Sequence, residues 1–100
     1  MKKIEAVFQS VREDDVVEAL CKMKLGGFSI NQAKGCGGDS KNFTVVKTIF
    51  TVVEDSNVKK VVEAIVEAAH MSTTGDGKIF VSTVDQVTDI STKEQGEKYL

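Results

Sequence analysis

The order of apolar and polar residues in the first quarter of the chain predicts a strand followed by a helix. Ile4, Ala6 and Phe8 recur at every second position, which is the period of a strand with one buried face. Ser10 and Glu13 then have the spacing of a capping box at a helix start. Apolar residues with helical spacing follow, and they define one buried face of that helix. The members of this face are Val16, Ala19, Leu20 and Met23.

The rest of the chain predicts two strands, a second helix and a final strand. Residues 28–35 and 43–53 are expected to be strands, the second rich in β-branched and aromatic side chains. A helix is expected to begin within residues 55–57, whose side chains suit a helix start. The last strand is expected at 78–84, with a short addition at 87–91. The apolar face of the second helix comprises Val58, Val61, Val62, Ile65, Val66 and Ala69.

The resulting order β-α-β-β-α-β predicts an α+β fold of the ferredoxin-like type. In that fold an antiparallel sheet carries both helices on one face. A length of 100 residues with 41% hydrophobic content supports one core, so residues 1–100 are expected to form a single domain. We expect burial to be completed by oligomerisation, because a core of this size is small.

Composition excludes several classes of function. A net charge of −2 gives no basic field for nucleic acid. No apolar run is long enough to span a bilayer, and no signal-like segment opens the chain, so we expect a cytoplasmic protein without membrane insertion. Cys21 and Cys36 are expected to be reduced thiols. With His70 as the only histidine, no metal site is expected.

Two glycine-rich stretches are the candidate ligand-binding segments. In the first, Gly75 and Gly77 flank Asp76 and allow the backbone to approach a ligand closely, while Lys78 adds a positive charge. The same residues equally suit an ordinary turn before a strand. The second stretch, residues 34–41, reads KGCGGDSK and is either a flexible hairpin loop or a ligand surface. Both readings stay open on local pattern alone.

No set of residues for catalysis can be assembled from the chain. Cys36 has no histidine or second nearby cysteine to activate it, and His70 falls at the end of the second helix, where a cationic side chain suits the helix dipole. Neither a Ser-His-Asp set, nor paired catalytic carboxylates, nor a Walker-type lysine loop is present. The residues by themselves therefore provide no candidate catalytic set.

Six segments distributed over nearly the whole chain resemble the P-II nitrogen-regulatory protein family. They are MKKIEA, DDVVEAL, GGFSI, KGCG in place of the family's KGFG, VVEAIVEAA, and GDGKIFV, of which the last is the most specific. The resemblance implies a ferredoxin-like subunit in a homotrimer, with nucleotide sites in the clefts between subunits. It also implies a signalling role, in which adenylate state, often with 2-oxoglutarate, controls a transporter or enzyme of nitrogen metabolism.

The resemblance places the ligand site on both glycine-rich stretches and an apolar wall. It implies a protein that is not an enzyme, with no catalytic residue and no metal ligand. The residues expected to bind the ligand are Val7, Phe28, Ser29, Gly35, Cys36, Gly37, Gly38, Val52, Gly75, Asp76, Gly77 and Lys78, with Phe50 as a further wall candidate.

The chain departs from the family pattern in the loop between the second and third strands. About eight residues separate Gly35 from the third strand, where family members have a long loop that often carries a modifiable tyrosine. Tyr99 is the only tyrosine here, so control by nucleotidylylation of this loop is not expected. Gly38 and Asp39 stand where the family has an arginine and a glutamine that hold phosphate, magnesium and 2-oxoglutarate.

Further cationic positions of the family are replaced elsewhere. Asp89 and Ser91 occupy the positions of two phosphate-binding arginines near the carboxyl end, and Val46 occupies that of a strand lysine. The neighbouring Lys47 is expected to point away from the cleft, since side chains alternate faces along a strand. Lys78 alone remains, which predicts a ligand with few phosphates, such as ADP, AMP or a cyclic nucleotide, and no required cofactor.

Three functions are compatible with the sequence. The first is a trimeric P-II-like sensor of such an adenylate, acting on a partner transporter or enzyme. The second is a P-II-like protein that binds no nucleotide and acts only through protein contacts, which the missing cations favour. The third is a ferredoxin-like enzyme or metal-handling protein, for which the chain offers no acid-base pair or ligand set.

Overall fold

A computed structural model describes residues 1–37 and 41–100 of the chain. It contains a four-stranded antiparallel sheet in the order β2-β3-β1-β4 and two helices, which confirms the ferredoxin-like prediction. The strands are β1 Lys2–Gln9, β2 Ser29–Gly35, β3 Thr44–Val53 and β4 Gly77–Thr83. The helices are α1 Glu13–Cys21 and α2 Val58–Ala69.

The core lies between the two helices and one face of the sheet. The predicted alternation in β1 is confirmed, because Ile4, Ala6 and Phe8 are each no more than 2% exposed. They join a buried cluster with α1 and α2, in which Leu20 and Ile65 are also buried. Burial of these side chains gives the main favourable free energy of folding, since each contributes on the order of 1.5–3 kcal/mol.

The capping box predicted at the start of α1 is wrong. Ser10 instead opens a short 3-10 turn, Ser10–Arg12, and no side chain caps α1, whose first residue is Glu13. The carboxylate of Glu13 lies 3.0 Å from Nζ of Lys47 on β3. This contact between residues distant in sequence draws Glu13 away from the backbone that a capping box would satisfy.

Two further expectations are corrected at the ends of the fold. Val66, predicted on the buried face of α2, is 51% exposed because the sheet ends at β4 beside it. Residues 87–91 do not form a strand within the described chain. Only an isolated bridge joins Thr88 to Gln95 there, around a turn in which the amide of Asp89 donates to the carbonyl of Glu94.

The face of the sheet opposite the helices, here called the open face, carries apolar side chains in contact with solvent. Phe50 of β3 and Phe80 of β4 both pair with Glu5 on β1, and they are 43% and 55% exposed. Lys3 lies on the same face, with Nζ 5.1 Å from the centre of the Phe50 ring and 3.2 Å from a carboxylate oxygen of Glu5. An apolar surface of this kind favours association with another surface.

A buried hydroxyl links β3 to the turn that precedes β2. Thr51 is 3% exposed, and its Oγ1 donates a hydrogen bond of 2.6 Å to the carbonyl of Gly27. We expect Thr51→Val to lower the free energy of unfolding by about 1–2 kcal/mol, because that carbonyl loses its donor. Urea denaturation of the variant measures this loss. Because valine keeps the shape of the threonine side chain, an unchanged free energy of unfolding in Thr51→Val would contradict the assignment.

Candidate functional site

The loop between α2 and β4, residues 70–76, is organised by the carboxylate of Asp76. This carboxylate accepts hydrogen bonds from the amide of Met71 at 2.7 Å and from the hydroxyl of Thr73 at 2.6 Å. The Thr73 amide at 3.4 Å and Nδ1 of His70 at 3.3 Å add weaker contacts. The side chain of Asp76 is 17% exposed. It therefore faces the interior of its own loop, and its charge is directed away from an anion bound outside the loop.

These hydrogen bonds lower the pKa of Asp76, the Thr73 hydroxyl contributing most and the Met71 amide next. A lowered carboxyl pKa adds stability that is complete above the ordinary value of 3.8 and is lost as the pH falls through the folded-state value. We expect the hydrogen-exchange protection of the Met71 amide, corrected for intrinsic exchange, to be constant from about pH 7 to 5. Loss of that protection in this interval would contradict the assignment. In Asp76→Ala, the Met71 amide is expected to lack this protection over the whole pH interval.

Gly77 begins β4 where the loop closely approaches β1. Its φ is +131°, a conformation that favours glycine, and a Cβ added there would lie 1.9 Å from the carbonyl oxygen of Val7. Gly75, in contrast, has no atom within 4 Å of an added Cβ. Gly77 is thus required by the fold, whereas Gly75 leaves open space in front of the loop.

A cleft of about 780 Å³ separates this loop from the end of β2. Of the described residues that line it, only Lys78 carries a charged side chain. Lys78 pairs with Val7 on the open face. The lining residues are Val7, Gln9, Gly35, Cys36, Gly37, Asn42, Thr44, Thr74, Gly75, Gly77, Lys78 and Phe80. The two glycine-rich stretches, whose meeting the sequence left open, therefore form opposite walls of one cleft.

The predicted site residues divide into two groups within one chain. Seven of them line the cleft, namely Val7, Gly35, Cys36, Gly37, Gly75, Gly77 and Lys78. Ser29 and Val52 lie toward the opposite end of the sheet, since Ser29 pairs with Phe50 whereas Gly35 pairs with Thr44. Six residues of strand correspond to about 20 Å. One chain therefore does not bring all the predicted residues together.

Three other predicted residues lie outside both groups. Asp76 is turned into its own loop, as described above. Phe28 is half-buried and packs against the hydrophobic core. Gly38 falls outside the described residues, as does Asp39.

The structure confirms that Lys47 points away from the open face. Its Nζ lies 3.0 Å from the carboxylate of Glu13 and donates a hydrogen bond of 2.9 Å to the side-chain oxygen of Gln32. In the sheet, Lys47 pairs with Phe8, whose side chain faces the helices. Val46, one residue earlier, lies on the open face and is 6% exposed. Lys47 therefore cannot supply charge to a ligand on that face.

The carboxylate of Asp89 is engaged in a turn of the carboxyl-terminal segment. Its Oδ1 accepts hydrogen bonds from the hydroxyl of Ser91 at 2.6 Å, the amide of Ser91 at 2.8 Å and the amide of Thr92 at 3.0 Å. The Ser91 hydroxyl is the main cause of its lowered pKa. Asp89 and Ser91 thus stabilise each other's positions.

Sequence reasoning missed several polar residues of the cleft, of which Gln9 has the clearest role. It is the last residue of β1, and its Nε2 donates a hydrogen bond of 2.8 Å to the carbonyl of Gly75. Asn42, Thr44 and Thr74 also line the cleft. The alternation of β1 places Gln9 on the same face as Val7, but its proximity to Gly75 depends on the register of β1 with β4.

A second, apolar cavity of about 250 Å³ lies on the helix side of the sheet, beneath the same loop. Phe8, Ile65, Ala69 and Ile79 are among the residues that line it. Across the described parts of the chain, no three His, Cys, Asp or Glu side chains are grouped to hold a metal ion. Neither α1 nor α2, and no other helix in these parts, has the length and apolar character needed to cross a bilayer.

Comparison with known proteins agrees with this fold. Residues 1–94 match the family model described as nitrogen regulatory protein P-II. Proteins named nitrogen regulatory protein P-II from Azospirillum brasilense and Rhizobium meliloti are 38% and 37% identical to the chain, with 96% of each chain covered. One from Cereibacter sphaeroides is 37% identical, with 97% covered. The chain belongs to the nitrogen regulatory protein P-II family.

Proposed function

We propose that this P-II protein is a homotrimeric cytoplasmic sensor that binds an adenylate with few phosphates in the clefts between its subunits. The family is regulatory and not enzymatic. The bound ligand would control the contact of the trimer with a transporter or enzyme of nitrogen or related metabolism.

The observation that carries this proposal is the division of the predicted site between two ends of the sheet. A subunit that offers the glycine-rich cleft at one end, and Ser29 and Val52 toward the other, suits an arrangement in which neighbouring copies complete each site. The exposed rings of Phe50 and Phe80 on the same face support this arrangement. Association would remove them from water at roughly 25 cal/mol for each Å² buried.

The charges around the cleft support a ligand with few phosphates. Lys78 lines the cleft and forms no ion pair with any described residue. Each hydrogen bond to a charged group contributes on the order of 1.5–3 kcal/mol. With one cation among the described residues of the cleft, each chain lacks the several contacts that a triphosphate would need for tight binding. A monophosphate or diphosphate matches this supply of charge better.

Light scattering and calorimetry together test the proposal. Light scattering is expected to give the mass of three chains. Calorimetric titrations with AMP, ADP, a cyclic adenylate, ATP and 2-oxoglutarate are expected to show saturable binding for at least one of the first three, tighter than for ATP. A monomer would overturn the arrangement of the site, and tightest binding of ATP would overturn the ligand assignment.

The scarcity of positive charge also favours a second candidate, in which the trimer binds no nucleotide and acts only through protein contacts. Light scattering that shows a trimer, combined with the absence of saturable heat from every nucleotide, would favour this candidate. Saturable binding of any adenylate would exclude it.

A further inference from the structure

We infer that Gln9 is the positioning residue that holds the glycine-rich loop against the sheet in the shape that receives the ligand. The inference rests on the proposed function, because it concerns the same cleft. It is carried by the hydrogen bond from Nε2 of Gln9 to the carbonyl of Gly75, 2.8 Å long, which joins the end of β1 to the loop.

The other contacts of the loop are local. The carboxylate of Asp76 bonds Met71, Thr73 and His70, all within six residues of it. Among the described residues, the bond from Gln9 is the only hydrogen bond that joins the segment between His70 and Gly77 to the sheet. Asp76 therefore sets the internal shape of the loop, and Gln9 sets its position relative to β1.

The Gly75 peptide lies beside open space, where such a contact fixes its orientation. A Cβ at Gly75 would meet no atom within 4 Å, and glycine has access to a wider range of backbone conformations than any other residue. A hydrogen bond to its carbonyl selects one orientation of the peptide group from that range. The loop is then ordered before a ligand arrives, and this order lowers the conformational cost of binding.

The ordered loop offers main-chain donors to an anion. Thr74 and Gly75 line the cleft, and the amide of neither donates a hydrogen bond to another described residue. Successive free amides of this kind, close to Lys78, form a concave surface suited to one phosphate group. Gln9 thus acts on the ligand through the loop and contributes no charge of its own.

Gln9→Met tests the inference, because methionine keeps the length of the side chain and removes the donor. Thr83→Val is the matched control. It removes the hydrogen bond of 2.9 Å from Lys2 to Thr83, which is also exposed and joins β1 to β4 at the opposite end of the pair. We expect Gln9→Met to weaken AMP binding by about threefold to tenfold, with an unchanged melting temperature. Thr83→Val is expected to leave AMP binding unchanged.

Amide NMR spectra of the ligand-free proteins separate the possible outcomes. We expect Gln9→Met to shift the amide signals of residues 72–78 and to increase their hydrogen exchange, with the rest of the spectrum preserved. Unchanged loop signals would overturn the inference, even if AMP binding were weaker, because Gln9 would then act by direct contact. Equal AMP affinity in the wild type and Gln9→Met would also overturn it. Absence of binding of AMP, ADP and a cyclic adenylate alike to the wild type would count against the proposed ligand, and the loop signals would still decide the role of Gln9.

Discussion

Gly77→Ala is expected to lower the free energy of unfolding by about 3 kcal/mol, the upper part of the range for backbone strain at a position that requires glycine. An alanine Cβ would lie 1.9 Å from the carbonyl oxygen of Val7, and the φ of +131° is one that alanine rarely adopts. Relief of the overlap requires β4 to separate from β1 at its first paired residue, since Gly77 pairs with Phe8. The variant should therefore lose stability and the shape of the loop together.

Urea denaturation measures this effect, and Gly75→Ala is the matched control in the same loop. An alanine at Gly75 meets no atom within 4 Å, so the free energy of unfolding is expected to stay within about 1 kcal/mol of the wild type. Equal stability of the two variants would show that the close approach of Gly77 to β1 does not exist in solution.

Lys78→Gln is expected to weaken AMP or ADP binding by about 10- to 100-fold, which corresponds to the loss of one charge-assisted contact. Lys78 is exposed and forms no ion pair with the described residues. Its removal should therefore leave the melting temperature unchanged. The affinity is measured by calorimetry at low salt and again at high salt, where screening should reduce the difference between variant and wild type.

Lys60→Gln controls for the change in net charge. Lys60 is an exposed residue of α2, on the far side of the sheet from the open face, and it does not line the cleft. Its replacement should leave nucleotide affinity unchanged. An equal effect of both substitutions, or no effect of Lys78→Gln, would place the phosphate away from Lys78.

Features of the fold that depend on local patterns could be predicted from the sequence. The alternation of Ile4, Ala6 and Phe8 identified the buried face of β1 because a strand has a period of two residues. The capping box at Ser10 failed because Glu13 contacts Lys47, a residue more than thirty positions away. Such a contact depends on tertiary packing, which a local pattern does not encode.

The candidate site could be predicted in its components and not in its arrangement. The motif GDGK indicated a glycine-rich loop, but the inward orientation of Asp76 depends on donors that only the folded loop brings together. Gln9 is adjacent to Gly75 because of the register between β1 and β4. The separation of Ser29 and Val52 from Lys78 likewise follows from strand directions and pairing.

Calorimetric titration of the wild-type trimer with AMP, ADP and a cyclic adenylate tests most directly the claim that neighbouring chains form one nucleotide site per chain. We expect saturable binding of at least one of the three, with one nucleotide per chain and hence three per trimer. No saturable heat from any of them at millimolar concentration would contradict the claim, and so would a stoichiometry different from one per chain.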